Sequence, residues 1–167
     1  MGVEEHKKHA IQNISFAVVT VSDSRNEATD ESGMLIKEMV GKRRYSIAEY
    51  RIIKNDRKQI EDTMKELLDR NDVDVIIFCG GTGISSKDMT VDTVKPFLEK
   101  ELPGFGEMFR MLSMQEIGTA AMLSRATAGI ARKKAIFCIP GSKNAVKLAM
   151  EKIILEECGH ILWEVRK

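Results

Sequence analysis

The sequence predicts an α/β domain, a three-layer sandwich whose mostly parallel central sheet carries helices on both faces. Three observations lead there. Apolar and β-branched residues run almost unbroken through Ser15–Val21 (SFAVVTV), through the end of residues 73–79 (VDVIIFC) and through Lys134–Ile139 (KAIFCI), as in strands covered on both sides. Segments of helical apolar spacing alternate with the strands, and alternation of this length builds parallel sheets with crossover helices. Glycine-rich turns close the second and third of these runs.

Taken in order, Ser15–Val21 is expected to be the first central strand. Residues 22–32 mix Ser, Asp, Asn and Thr in a loop, after which Leu35, Ile36, Met39 and Val40 fall at helical spacing and Gly41 is expected to stop the helix. Residues 45–53 (YSIAEYRII) alternate and are more polar, which suits a strand nearer the sheet edge. Asp56 then precedes a helix striped by Ile60, Met64, Leu67 and Leu68. The strand at 73–79 leads at once into Gly80-Gly81-Thr82-Gly83. Beyond it Thr90 is expected to cap a helix through Lys100, kinked or restarted at Pro96. Leu102-Pro103-Gly104-Phe105-Gly106 reads as an interruption, and residues 107–116 as a resumed helix in which Met108, Met111 and Leu112 fill the core. Residues 125–131 and 134–139 are short strands separated by basic residues. Pro140-Gly141-Ser142 opens the last helix, with Val146, Ala149, Met150, Ile153 and Ile154 on one face. No repeat or linker divides the chain, so residues 14–167 are expected to form one domain behind a polar N-terminal arm, residues 1–13.

Composition excludes several classes of function. With 26 Lys+Arg against 25 Asp+Glu, the formal charge of +1 provides no global field for nucleic acid or a membrane surface. Any charged ligand must be met locally. The apolar runs fall far short of the roughly 20 residues that span a bilayer. Residues 1–13 lack the apolar stretch of a secretory signal. The expectation is a soluble cytoplasmic protein. Three cysteines, Cys79, Cys138 and Cys158, cannot all pair within one chain and show no metal-ligand spacing, so they read as buried thiols of a reducing compartment.

Ligands of open α/β sheets bind outside the carboxyl ends of the strands. Three loops lie there: Ser22-Asp23-Ser24-Arg25, Gly80-Gly81-Thr82-Gly83 and Pro140-Gly141-Ser142-Lys143-Asn144. Glycines let backbone amides approach a phosphate, and a following helix N-terminus favours negative charge. Neither GxxxxGK[ST] nor GxGxxG is present, which disfavours the ordinary nucleotide and dinucleotide loops. The glycines alone admit a purely geometric role in turning strand into helix, but Ser85, Ser86, Lys87, Asp88 and Thr90 add hydroxyls, a cation and a carboxylate. A carboxylate beside a phosphate is repelled unless a cation intervenes, so Asp88 is either a Mg²⁺ ligand or a helix N-cap.

The order of these motifs resembles the MoaB/MogA family of molybdenum-cofactor biosynthesis proteins. The resemblance runs from Val18-Val19-Thr20-Val21-Ser22-Asp23-Ser24-Arg25 through Gly80-Gly81-Thr82-Gly83 with Asp88 and Thr90, to Pro103-Gly104-Phe105-Gly106-Glu107, Ser124-Arg125 and Pro140-Gly141-Ser142. It covers roughly residues 14–154, and residues 107–113 with Ile117-Gly118 are closer to the MoaB branch. It implies a molybdopterin-binding fold of the MogA-like kind. It also implies Mg²⁺-assisted transfer of AMP from ATP to the terminal phosphate of molybdopterin, with release of pyrophosphate. The partners implied are these small molecules and further copies of the chain, as a trimer or a dimer of trimers.

By family position Asp88 is the principal catalytic carboxylate, and Gly80, Gly81, Thr82 and Gly83 line the nucleotide phosphates. Ser22, Asp23 and Asp30 are weaker candidates in the first loop. Ser124, Arg125, Gly141 and Ser142 complete the pocket. Arg125 is either a phosphate donor, since its fork matches phosphate geometry, or a solvated surface arginine. One position departs from the pattern. Where active members carry a Pro-Asp-Asp-like turn, this chain reads Lys54-Asn55-Asp56, which sets Asn55 at the acidic place and Asp56 one residue along. Asp56 is then a displaced catalytic carboxylate or a helix cap. An amide binds Mg²⁺ less strongly than a carboxylate, so the departure leaves open a paralogue that binds pterin or nucleotide without efficient transfer, as a carrier or assembly factor.

Overall fold

The computed structural model describes residues 2–167. A short helix, α1 (Val3–Lys8), lies within the polar arm, whose end is tied down where the Ile11 amide donates to the Gly159 carbonyl at 3.1 Å. The sheet contains β1 (Ser15–Val21), β2 (Ser46–Ile53), β3 (Val75–Cys79), β4 (Lys100–Glu101), β5 (Thr127–Ala131) and β6 (Lys134–Ile139), in spatial order β2-β1-β3-β6-β5-β4. The first four strands in that order run parallel, while β5 and β4 complete the sheet antiparallel. β2 stands at the edge, as its polar alternation predicts. Arg132 and Lys133, both at positive φ, form the two-residue turn between β5 and β6.

Successive side chains of a strand face opposite ways, so each central strand feeds two cores. Phe16, Val18, Val75, Ile77 and Phe137 pack with α2 (Glu31–Lys42), α5 (Pro103–Ile117), α6 (Lys143–Ala149) and α7 (Leu155–Arg166). Ala17, Val19, Ile76, Phe78 and Ile136 pack on the other face with α3 (Arg57–Asp69) and α4 (Thr90–Val94). The predicted stripe of α3, Ile60, Met64, Leu67 and Leu68, is buried throughout, and so are all three cysteines, which are unpaired. No helix among the described residues is long and apolar enough to cross a membrane.

Several local expectations change. Gly41 lies inside α2, whose C-cap is Arg43, and the chain turns at Arg44 with φ of 60°. Thr90 does not cap α4, since the N-cap position belongs to Met89 and the Thr90 hydroxyl is engaged elsewhere. The helix there stops at Val94, and Pro96 falls in a following 3₁₀ turn, Lys95–Phe97, rather than in a helix reaching Lys100. The stretch at 102–106 is no interruption. Pro103 starts α5, where its missing amide costs no helical bond. Met108 and Met111 are exposed rather than core, because the buried stripe of α5 is carried by Phe105, Gly106, Phe109 and Ser113. Between α6 and α7 a π-helical segment, Met150–Ile154, joins the two into one long helical run.

Candidate functional site

The chain moves outward from β1 to β2 and then returns to the other side of β1 to place β3, so the direction of winding reverses between β1 and β3. That crevice is where open sheets receive ligands. The loop after β1, the loop after β2 and the glycine loop after β3 all end at it, and hydrogen bonds lace them together. Asp23 Oδ1 accepts the Asn55 amide at 2.9 Å, and Lys54 Nζ donates to the Asp23 carbonyl at 2.9 Å. Asn55 Oδ1 accepts the Met89 amide at 3.4 Å. Ser22 Oγ accepts the amides of Ser24 and Arg25 and so closes its own loop.

The glycine loop has an unusual hydrogen-bond pattern. Thr90 Oγ1 donates to the Gly80 carbonyl at 2.7 Å and the Thr90 amide to the Gly81 carbonyl at 3.1 Å. The Arg125 amide donates to the Thr82 carbonyl at 2.9 Å, and Arg125 Nε to the Gly83 carbonyl at 2.9 Å. In a planar trans peptide the following N–H points opposite to its C=O, and no peptide among the described residues is cis. The amides of Gly81, Thr82, Gly83 and Ile84 therefore face away from Thr90 and Arg125, and among the described residues none of the four has a hydrogen-bond partner. Gly80 and Gly81 hold φ of 113° and 69°, and a Cβ on either would lie 2.4 Å from the Val21 carbonyl oxygen or 2.3 Å from Thr90 Oγ1, so this trace requires glycine at both.

Asp88 closes the loop. Its Oδ2 accepts the Ser85 amide at 2.9 Å and sits against Gly83, so the carboxylate folds back on its own loop and does not cap α4. Two open clefts flank the loops. One of about 530 Å³ is bordered by Ser22, Arg25, Tyr50 and Lys54. The other, of about 410 Å³, is bordered by Asp92, Lys95, Arg110, Ser124 and Arg125.

The remaining candidates separate by role. Asp30 is fully buried beneath the first loop and caps α2, accepting the Gly33 amide, Thr20 Oγ1 at 2.6 Å and the Tyr50 hydroxyl at 2.6 Å, so it holds the framework rather than facing a ligand. Burial, followed by the Asp30 carboxylate, pushes the Tyr50 phenol well above its ordinary value. Burial and then Asp30 also push the Cys79 thiol up to about 12. Asp56 is exposed and caps α3 through the Gln59 amide, which leaves Asn55 as the residue of that turn that touches the glycine loop. Ser142 is exposed and caps α6. Gly141 is drawn into the site by its carbonyl, which accepts Arg25 Nη1 and Ser32 Oγ. Ser124 accepts the Ala126 amide at the rim of the second cleft. Arg125 is neither a solvated surface arginine nor an unengaged donor. Besides Gly83 it forks onto Asp92, with both N···O distances 2.9 Å, and this ion pair holds the Asp92 carboxyl below the usual range.

The sequence placed Arg25 and Thr90 in the site's loops without a specific role, and Asp92 was not among its candidates. The signals were present: a cation in the first loop, a hydroxyl after the glycines, and an acid four residues beyond Asp88. A Mg²⁺ ion takes one or two protein carboxylates and completes its shell with phosphate oxygens and water. A lone carboxylate beside unpaired amides fits that requirement, and among the described residues no cluster of three His, Cys, Asp or Glu offers a cage of protein ligands instead.

These features define an open α/β domain with a glycine loop at its switch point. The family described as "Probable molybdopterin binding domain" matches residues 17–160. Molybdenum cofactor biosynthesis protein B of Halalkalibacterium halodurans is 48% identical over 100% of this chain and 99% of its own length. The protein of the same name from Bacillus subtilis is 44% identical with the same coverage. Among solved structures, one described as molybdenum cofactor biosynthesis protein B superposes with a TM-score of 0.89 at 44% identity, covering 92% of this chain and 96% of that one. The tungsten cofactor synthesizing protein MoaB from Pyrococcus furiosus gives 0.85 at 40% identity, covering 95% and 100%. The chain belongs to the MoaB/MogA family of molybdenum cofactor biosynthesis proteins, on its MoaB branch.

Proposed function

We propose that this protein is a molybdopterin adenylyltransferase, moving AMP from ATP to the terminal phosphate of molybdopterin and releasing pyrophosphate. The observation that carries this reading is the run of four unpaired amides, Gly81 to Ile84, beside the Asp88 carboxylate. Thr82 is buried and Gly81 and Gly83 are half-buried, where unpaired N–H groups are costly, while Ile84 is exposed; a polyphosphate supplies acceptors for several of these amides at once. In the reaction a pterin phosphate oxygen bonds to the α-phosphorus of ATP while the bond from that phosphorus to the pyrophosphate oxygen breaks. No proton need be abstracted from an ionised phosphate, so the chain's work is alignment and charge neutralisation. The glycine-loop amides hold phosphate oxygens, and Lys54 and Arg25 line the cleft on one side. Asp88 would hold Mg²⁺ with the Asn55 amide oxygen nearby, and the ion would supply neutralisation of the phosphates.

The reaction is assigned to the cytoplasm, which suits three buried, unpaired thiols. Assembly as a trimer or a dimer of trimers is proposed through the apolar face formed by Met108, Met111, Met114, Ile117, Met122 and Leu123, all of them exposed. The test of function is direct: purified protein is incubated with molybdopterin, ATP and Mg²⁺, and pyrophosphate and adenylylated pterin are measured. Product formation supports the transferase. Binding of both substrates without product replaces it with the carrier reading, which the amide of Asn55 at the loop favours.

A further inference from the structure

Segment 82–88 belongs to no helix or strand, and Ile84, Ser85, Ser86 and Lys87 are exposed. Its internal hydrogen bonds join Ser85 to Asp88 and Lys87 to Ser85. Among the described residues, every hydrogen bond that ties this segment to another part of the chain goes to Arg125: the Thr82 carbonyl to its amide, the Gly83 carbonyl to Nε, and the Asp88 carbonyl to Nη2 at 3.4 Å. The fork of Arg125 is itself held by the two carboxylate oxygens of Asp92, one turn along on α4.

We infer that Asp92 is a positioning residue: by locking the Arg125 fork, it turns the Gly83 carbonyl inward and so aims the Ile84 amide outward as an anion donor, beside a Gly83 amide that the Arg125 main-chain N–H aims the same way through the Thr82 carbonyl. Peptide planarity makes the link, since each carbonyl drawn toward Arg125 drives the next amide the opposite way. Asp88 is set by the same device. Its carbonyl faces Arg125, and the Met89 amide accordingly points to Asn55 Oδ1. Asp92 also occupies the charge of Arg125, which keeps that fork on the loop's inner side when an anion binds outside. A lysine at 125 would retain the charge but, as a point donor, could not span Asp92, Gly83 and Asp88 together.

This inference deepens the proposed phosphate-binding reading and rests on it, but its test separates the two. Backbone amide resonances are followed while magnesium pyrophosphate is titrated into the wild-type chain and into Asp92→Ala, Asp92→Glu and Arg125→Lys. Hydrogen exchange across 82–88 and the melting temperature are measured on the same samples. In the wild type the Gly83 and Ile84 amides shift on titration. In Asp92→Ala and Arg125→Lys the Ile84 shift vanishes while that of Gly83, set by the main chain of residue 125, persists, and affinity falls about tenfold, or roughly 1.4 kcal/mol. Exchange in 82–88 accelerates in both, the melting temperature stays close to wild type, and Asp92→Glu restores binding. Wild-type affinity and shifts in Asp92→Ala, or full affinity in Arg125→Lys, would overturn the inference. If pyrophosphate moves no amide even in the wild type, the phosphate-loop reading fails. The tether then stands or falls on exchange: unchanged protection of 82–88 in Asp92→Ala refutes it, and faster exchange upholds it.

Discussion

Arg25 Nη1 donates to the carbonyl of Gly141 at 3.0 Å across 116 positions of the chain, and Ser32 Oγ reaches the same oxygen at 2.7 Å. Two elements from the start of the domain thus share one acceptor in the loop that follows the last parallel strand. A doubly bonded carbonyl tolerates the loss of either partner better than the loss of both. Arg25→Ala and Ser32→Ala are each expected to cost about 1 kcal/mol, with the arginine's share limited by its partial exposure. The double variant should exceed the sum by roughly 0.5 kcal/mol or more. Urea unfolding at constant m-value measures all three, and strict additivity would show that the two donors do not share the carbonyl in solution.

Asp88 combines a structural bond with a charge, and Asp88→Asn separates them. The amide oxygen can still accept the Ser85 N–H, so the loop should keep its shape and the melting temperature should not move. AMP transfer is expected to fall about tenfold or more, equivalent to roughly 1.4 kcal/mol of barrier. An unchanged rate would remove the Asp88 charge from the mechanism.

Asn55 offers the converse experiment. Its Oδ1 touches the glycine loop and accepts the Met89 amide, a bond that a carboxylate makes equally well. Asn55→Asp should therefore fold normally and lower the Mg²⁺ concentration for half-maximal AMP transfer by roughly tenfold, because a second carboxylate attracts the ion more strongly. A magnesium titration of initial rates decides this, and an unchanged midpoint would place Asn55 outside the ion's reach.

Tyr50 contributes to the loss of stability at high pH, together with the three buried thiols, which burial also holds protonated. Its hydroxyl donates to the buried Asp30 carboxylate, and both desolvation and that charge favour the protonated phenol in the folded chain. The unfolded chain releases the same proton near pH ~10. Above that pH the unfolded state binds fewer protons than the folded state, so stability falls as pH rises, while below it the contribution is fully present. Tyr45 is shifted in the same direction, chiefly by burial, and the chain contains only these two tyrosines. In a Tyr45→Phe background phenolate absorbance should thus appear together with unfolding, and Tyr50→Phe should reduce the alkaline loss of stability to the part the buried thiols contribute. A phenolate titrating near pH ~10 in a Tyr45→Phe chain that is still folded would contradict the placement of Tyr50 on Asp30.

What the sequence disclosed follows a physical division. The strands were legible because burial on both faces demands an unbroken apolar run, and α3 because Asp56 and the stripe of Ile60, Met64 and Leu67 fit a helix buried on one side. The loops of the site were legible as glycine-rich places but not as hydrogen-bond patterns. That Arg125 serves the inner side of the loop depends on Asp92, a partner 33 positions away. Thr90 resembles a cap in sequence, yet its hydroxyl does more by turning the Gly80 carbonyl. Gly41 and the glycines around Phe105 looked like breaks because local propensity ignores tertiary packing, which carried both helices through them.

The methionines of α5 were misread for a related reason, since apolar character alone does not reveal whether the covering surface belongs to the same chain. Met111, Met114 and Met122 are 59%, 58% and 76% exposed, and with Gly118 and Ala121 they border an apolar cleft of about 390 Å³. In a chain with 31% charged residues, a continuous apolar face of this kind is costly to leave in water. A closed, symmetric assembly of identical chains would cover it without exposing a new one, and Arg110 and Met122 border both this face and the cleft beside Arg125. Met111→Glu combined with Met114→Glu places two charges on the face while leaving the buried Phe105 and Phe109 untouched. Size-exclusion chromatography with light scattering should find the wild type as a trimer or hexamer and the double variant shifted toward monomer with its circular dichroism retained. A wild-type monomer at working concentration, or a variant that assembles as before, would show that this face is covered by something other than a second copy of the chain.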